Sequence, residues 1–324
     1  MTANTGRTLA VREKGKINLG SWLILFLTAA LFVFLALTRK NFYTYSNIHS
    51  ILYEVSFSFF AAVGFTLLII MGELDLSVGS LFGLGGALMG LFIFNHRLPV
   101  EAAIPLAMAL AAVIGFAAGL LVTAFRLNSM MVTIGVMMAV KGYNWIQIQK
   151  FGGRQIPRAQ WNFITVELFG VKWTILAMLA TALLFEIFLA GSRHLKQLYY
   201  IGDNFSTTIL YGLNANLVKV LCFTVSAALS AFGGALMTCR LKHPHVTVGA
   251  NLEIGVITAA VIGGASIFGG RGSMFRTMLG VFFVFLLQNG MTSYDINSYV
   301  QQIILGSILI LAIYLDVRIN GKRT

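Results

Sequence analysis

Long unbroken apolar runs dominate this sequence and decide what it can become. They cover residues 21–38, 51–71, 78–94, 102–125, 130–148, 173–190, 217–238, 255–268, 275–291 and 299–315. A helix needs about 20 mostly apolar residues to cross a bilayer, and every run but the eighth comes close. A barrel strand would alternate polar and apolar residues in segments of about ten, which these runs do not. Only 10% of the 324 residues are charged and 58% are apolar, against about 25% charged in a soluble domain. No soluble core of this length could bury that surface, which excludes a cytosolic enzyme, a disordered chain and a secreted scaffold. The expected fold is an all-α polytopic membrane protein of about ten transmembrane helices. It forms one membrane domain over 21–316, with polar tails at 1–20 and 317–324. The first run is too long for a signal peptide and lacks a small-residue cleavage site, so it reads as an uncleaved span.

Net charge is +12, but the basic residues lie between apolar runs, where they report topology and headgroup contact rather than nucleic acid. With the N-terminus inside, the inner loops hold Arg7, Arg12, Lys14, Lys16, Arg126, Arg193, Lys196, Lys219, Arg271, Arg276, Arg318, Lys322 and Arg323. The outer loops hold the smaller set Arg39, Lys40, Arg97, Lys150, Arg154, Arg158, Lys172, Arg240 and Lys242. The positive-inside rule therefore puts both termini in the cytoplasm, 149–172 outside and 191–216 inside. Cys222 and Cys239 mark the two ends of one span, too far apart for a disulfide.

Residues 74–87 (LDLSVGSLFGLGGA) echo 252–265 (LEIGVITAAVIGGA), with Asp75 opposite Glu253; Asn128-Ser129 before the fifth run is echoed by Asn297-Ser298 before the tenth. Spans 1–5 and 6–10 thus read as an internal repeat. Five is odd, so the halves are inverted, an arrangement that places a solute path at the repeat interface.

The glycines at 79–90 and 263–272 suit close helix packing. None precedes a Lys-Ser or Lys-Thr pair as a phosphate loop requires, so the chain has no ATP site of its own. Glu54, Glu73, Asp75, Lys141, Glu186 and Glu253 lie within or beside the runs. Such groups face a bundle interior or a wet cavity, because a charge in hydrocarbon is costly. For Lys141 the alternatives are snorkelling or an internal ion pair on one side, and a solute ligand or proton relay on the other. Polar side chains inside or beside runs suit a neutral polyol or sugar, or hydrogen bonds between helices. The candidate path set is Asp75, Ser77, Asn128, Thr133, Glu253, Gln288, Asn289 and Gln301. There is no nucleophile elbow, no H-E-x-x-H and no metal-ligand spacing; His243-Pro244-His245 offers two ligands only. The polar stretch 191–216 reads as a short amphipathic helix, capped by Asp203 or Asn204, with Ile209 and Leu210 on its apolar face and Gly212 at its end.

These motifs, in order, resemble the membrane permease of ribose-type ABC importers, a branch that includes other monosaccharide and autoinducer-2 systems. Residues 72–80, GELDLSVGS, look like that family's G-x-(I/L)-D-L-S-V-G-S stretch. Residues 128–135 are similar to its N-(P/A/S)-x-x-x-T-L-G stretch, with Ile134 for Leu. Gly263-Gly264-Ala265-Ser266 with Gly269-Gly270-Arg271-Gly272 resembles G-G-T-S…G-G-(R/K)-G. Residues 202–214 look like its G-G-N…S-G-(I/V)-N segment, and Asn289-Gly290 with Gln301-Gln302 matches the end. Departures are Asp203 for Gly, Tyr211 for Ser, Thr207-Thr208 for alanines and Lys141 for a frequent Arg.

The resemblance implies a non-enzymatic sugar-transport permease in a bacterial inner membrane, working by alternating access. It would pair with a second permease subunit, two cytoplasmic ABC ATPase subunits and a periplasmic solute-binding protein; ATP and Mg sit on the ATPases. Gly202, Asp203, Asn204, Thr208, Leu210, Tyr211, Gly212 and Asn214 would form the coupling segment against the ATPase. Arg39, Lys40, Arg97, Arg154 and Arg158 are expected to steer the receptor by charge. The competing class is a stand-alone carrier coupled to H⁺ or Na⁺, which would require an acid deep in a span. In a background without Cys222 and Cys239, Arg158→Cys and Ser206→Cys should react with an impermeant thiol reagent from opposite sides of the membrane. Labelling of both from the periplasm would remove the ten-span arrangement.

Overall fold

The computed structural model describes residues 19–40, 42–204 and 214–320. Helix forms wherever the apolar runs predict it: α1 (Leu19–Thr38), α2 (Tyr45–Ile70), α3 (Val78–His96), α4 (Val100–Ala124) and α5 (Ser129–Phe151). After the short helix α6 (Arg158–Trp161) and a 3₁₀ turn come β1 (Glu167–Leu168) and β2 (Val171–Lys172). These two pair antiparallel across Phe169-Gly170, both at positive φ, as a two-residue hairpin loop requires. The chain continues through α7 (Trp173–Gly191), α8 (Arg193–Asp203), α9 (Ala215–Leu241), α10 (Leu252–Ile262), α11 (Met274–Ser293) and α12 (Ser298–Asn320). The fold is therefore an all-α polytopic one.

Among the described residues seven helices are long and apolar enough to cross a membrane: α2, α3, α4, α7, α9, α11 and the Ser298–Arg318 part of α12. The apolar stretches of α1 and α10 are shorter, and α5 carries Lys141, Asn144, Gln147, Gln149 and Lys150. The eighth run ends early because the backbone turns out of helix after Ile262. Gly263 closes α10, and Gly264, Gly269 and Gly270 take positive φ in the loop that follows, a region open to glycine at no steric cost.

At the centre lies α9, packed on α2, α3 and α4. A Cβ on Gly85 would overlap the Ala231 carbonyl, and one on Gly234 would overlap that of Phe82. Gly64 likewise meets Ser226, and Gly115 meets Phe223. Lipid tails are as apolar as leucine, so helices associate through such close van der Waals approach. In the second half, α10 packs on α11 through Gly280, and α11 packs on α2, where Thr66 and Thr277 share a hydroxyl bond of 3.1 Å.

The residue register of the 74–87/252–265 echo is not kept. Gly85-Gly86-Ala87 sits inside α3, whereas Gly263-Gly264-Ala265 lies where α10 ends; Asp75 precedes α3, whereas Glu253 is inside α10. The second echo is kept in detail. Asn128 accepts from Met130 N at 2.9 Å to open α5, and Asn297 accepts from Tyr299 N at 2.8 Å to open α12.

Gly85→Ala should destabilise the detergent-solubilised protein by about 1–3 kcal/mol through overpacking. Gly135→Ala, whose Cβ would meet open space, should move it by less than about 1 kcal/mol. Unfolding of the two variants side by side checks the difference.

Candidate functional site

A cavity of about 450 Å³ lies between α2, α3 and α9 on one side and α10, α11 and α12 on the other. Phe82, Met237, Leu241 and Phe285 give it apolar walls. Glu54 and Ser58 of α2, Asn251 before α10, Gln288 of α11, and Ser298, Gln301 and Gln302 of α12 supply polar groups. Gln301 is oriented by donating to Ile296 O at 2.9 Å and Thr292 Oγ1 at 3.3 Å. At the mouth, the Glu54 carboxylate meets Arg240 at 2.9 Å, and the guanidinium lies 4.9 Å from the Tyr53 ring centroid. The one acid on the wall is thus charge-matched, and the remaining polar lining is neutral amide and hydroxyl, chemistry suited to a neutral polar solute.

The proposed path residues divide among four places. Gln288 and Gln301 line the cavity. Asp75, Ser77, Asn128 and Thr133 instead brace the stretch between α2 and α3. Asp75 Oδ1 accepts from Ser77 N at 2.9 Å and Ser77 Oγ at 2.5 Å, and Oδ2 accepts from Ser226 Oγ at 3.4 Å. Thr133 Oγ1 accepts from Leu76 N at 3.1 Å, Ser129 Oγ from Leu74 N at 3.3 Å, and Asn128 caps α5. Asn289 exchanges side-chain bonds with Asn47 of α2 at 3.1 and 3.2 Å. Glu253, buried in α10 behind the cavity wall, pairs with Lys141 of α5 at 3.2 Å, so the internal ion pair holds among the readings of Lys141. Ser58 and Asn251 carried no local signal in the sequence, and Ser298 stood out only through the Asn297-Ser298 echo. Glu54 stood out as an acid within a run, and Gln302 through its pairing with Gln301.

At the opposite end of α9, α8 lays Leu195, Leu198, Tyr199 and Gly202 against the bundle, the i, i+3, i+4, i+7 face of a helix. Gly202 abuts the Ile70 carbonyl and the Gly270 amide, which themselves bond at 2.8 Å. Tyr199 OH donates to Gly272 O at 2.9 Å. Burial, with the Glu186 carboxylate nearby, pushes this phenol up to about 12, so it stays a donor at physiological pH. Glu186 accepts from Met274 N at 2.7 Å and Ser273 Oγ at 3.1 Å, which places an anion at the N-terminus of α11. Asp316 of α12 accepts from Ser266 Oγ and Ile267 N, both at 3.1 Å. The loop over 263–273 is therefore held by α2, α7, α8 and α12 together.

The coupling residues fall partly on this face. Asp203 is the last residue of α8, and its backbone lies against Gly270; the helix that Asp203 or Asn204 is expected to cap falls outside the described residues. Asn204 N bonds Tyr200 O at 3.0 Å, continuing the turn of α8, and Asn214 caps α9 by accepting from Leu217 N at 3.0 Å. Thr208, Leu210, Tyr211 and Gly212, with Ile209, lie outside the described residues. In the docking set, Lys40, Arg97, Arg154 and Arg158 are exposed. Arg39 is half-buried, its guanidinium 3.6 Å from the Tyr294 ring centroid, and so holds α1 to the turn before α12. Among the described residues no group of three or more His, Cys, Asp or Glu side chains could hold a metal.

Residues 47–313 match the family model described as branched-chain amino acid transport system / permease component. The ribose import permease protein RbsC of Haemophilus influenzae is 28% identical, covering 90% of this chain and 92% of its own. RbsC of Bacillus subtilis is 29% identical, with 92% of each chain covered. The L-arabinose ABC transporter permease protein AraH of Azospirillum brasilense is 28% identical, covering 95% of this chain and 90% of its own. No solved structure matches. With most of its length inside one family model, the chain belongs to the family of transport-system permease components.

Proposed function

We propose that this chain is the membrane-spanning permease subunit of a binding-protein-dependent ABC importer for a sugar or sugar-like solute. The cavity carries the reading: set among its apolar walls, the polar lining is neutral amide and hydroxyl with one charge-matched acid, donors and acceptors suited to the hydroxyl groups of a sugar. The relatives named for ribose import and for L-arabinose ABC transport agree with this.

The ten helices α1–α5, α7 and α9–α12 are read as ten spans, with both termini in the cytoplasm of a bacterium's inner membrane. Shared neighbour relations support an inverted repeat. α9 packs on α3 and α4 as α2 packs on α10 and α11; α3 touches α4 and α5 as α10 touches α11 and α12. The repeat unit is then α2–α5 and α9–α12. α1 packs on α11, whereas α7 packs on α2 and α11, so these two do not follow the exchange. α2 is the second span and α9 the seventh, an odd offset, so the units are inverted.

In this reading two copies, or this chain and a paralogue, bind two cytoplasmic ABC ATPases that hold ATP and Mg. The α8 face and the segment leading to Asn214 meet the ATPase. A periplasmic receptor delivers solute at the opposite end, where Lys40, Arg97, Arg154 and Arg158 are exposed. Closure of the ATPases shifts the pair between inward- and outward-facing packings.

The buried carboxylates of Asp75 and Glu253 favour a second reading, an ion-coupled carrier with no ATPase. Co-expression with an adjacent ATPase should yield a complex whose hydrolysis in liposomes is stimulated by receptor; gradient-driven uptake without any ATPase would select the carrier. Gln288→Leu with Gln301→Leu should lower uptake of labelled ribose, arabinose or xylose about tenfold or more, since lost hydrogen bonds of about 1 kcal/mol each add to leucine bulk. Insertion and ATPase binding should be unchanged. Full uptake by the double variant would remove the cavity from the path.

A further inference from the structure

Exchanging α2–α5 with α9–α12 relates two seams of the bundle: α5 against α10, and α12 against α3. They differ in this structure. At the α5–α10 seam the helices share no extended packing, and Lys141 Nζ bridges them to Glu253 Oε1 at 3.2 Å. Glu253 is 7% exposed, and its Oε2 is buried without a hydrogen-bond partner. The carboxylate fits only because residue 79 is glycine, where a Cβ would overlap Oε2. The Lys141 side chain is 43% exposed. At the α3–α12 seam, Phe82 and the residues Gln301, Gln302 and Leu305 face each other across the cavity. One seam is bridged and its counterpart is open.

Two more ion pairs among the described residues, of another kind, join the halves. Lys219–Glu73 and Arg240–Glu54 fasten the two ends of α9 to the first half, where glycine contacts already press backbone on backbone. They staple one rigid body. Lys141–Glu253 joins helices that little else joins, and a half-paired buried carboxylate is held at a cost.

We propose that Lys141–Glu253 is a latch that keeps the α5–α10 seam shut while the α3–α12 seam stands open around the cavity, and that the two seams exchange states during transport. The inference rests on the alternating-access reading. Opening the latch gives Oε2 access to water and frees α5 from α10. By the pseudo-symmetry, closing the counterpart brings α12 onto α3 and expels the cavity's contents.

The test uses the full-length chain with Cys222→Ala and Cys239→Ala in lipid nanodiscs, and spin-label distances across each seam. Gln149→Cys with Ala250→Cys reports on α5–α10; Asn95→Cys with Tyr299→Cys reports on α3–α12. Glu253→Gln and Lys141→Met should each raise the long-distance population of the first pair about fivefold, the upper reach of a partly exposed ion pair. The second pair should shorten in the same samples. Lys141→Glu with Glu253→Lys should return both distributions to the parent's. Unchanged distributions in both single variants would overturn the latch, and movement of the first pair without the second would overturn the exchange of seams. Lys141→Met, at a half-exposed position, keeps the test decisive should Glu253→Gln fail to insert. The measurement needs neither ATPase nor solute. Its failure is therefore distinct from failure of the importer reading, which lack of receptor-stimulated hydrolysis in the parent complex would reveal.

Discussion

Everything in this bundle is arranged around the approach of α9 to its neighbours through bare backbone. In lipid the hydrophobic effect does not drive one helix onto another, so shape has to do what solvent does in a soluble core. Gly64, Gly85, Gly115 and Gly234 remove the side chains that would hold α9 away from α2, α3 and α4. The resulting contact is close enough to bury Ser226 and Ser230 in mid-helix, the first bonding Asp75 and the second returning its hydroxyl to the Ser226 carbonyl at 2.7 Å. The polar stretch between α2 and α3 can sit inside the bundle only because α9 and α5 satisfy it.

The two ends of the molecule carry different chemistry. At the end of α9 that carries Leu241, the cavity presents neutral donors and acceptors behind an arginine stacked on tyrosine. At the other end, carboxylates from α7 and α12 converge on one glycine-rich loop that also receives α8. A displacement of α8 would press on Gly270 and Gly272, and through Met274 on the first turn of α11, the helix that carries Gln288 to the cavity wall. The connection runs through covalent and hydrogen-bonded neighbours without a gap.

What was legible in the sequence follows from range. Run length is a local property, so each apolar run could be matched to a helix, although α2 starts six residues before its run and α10 stops six residues short of its own. Asn128 and Asn297 could be paired because each caps the helix it precedes. The early end of α10 was missed: 263–268 is nearly as apolar as the helix before it, and the turn is set by glycine φ angles and by Arg276 crossing behind Gly263. The cavity lining was half-read. Gln288 and Gln301 stand out as polar side chains in apolar surroundings, but so do Thr133, spent on the Leu76 amide between α2 and α3, and Asn289, spent on Asn47 of α2. Composition cannot separate an amide facing a void from one facing another amide, because the difference lies in residues over a hundred positions away.

The two staples on α9 have a consequence for the lipid. Lys219 and Arg240 are separated by about 32 Å of helix at 1.5 Å per residue, close to the thickness of a typical hydrocarbon core, about 30 Å. A free helix meets a thinner bilayer by tilting. α9 cannot tilt alone, because its ends are tied to Glu73 and Glu54 and its middle is locked by glycines. The whole central body must lean, or the bilayer must deform around it, so acyl-chain length becomes a mechanical load on this protein.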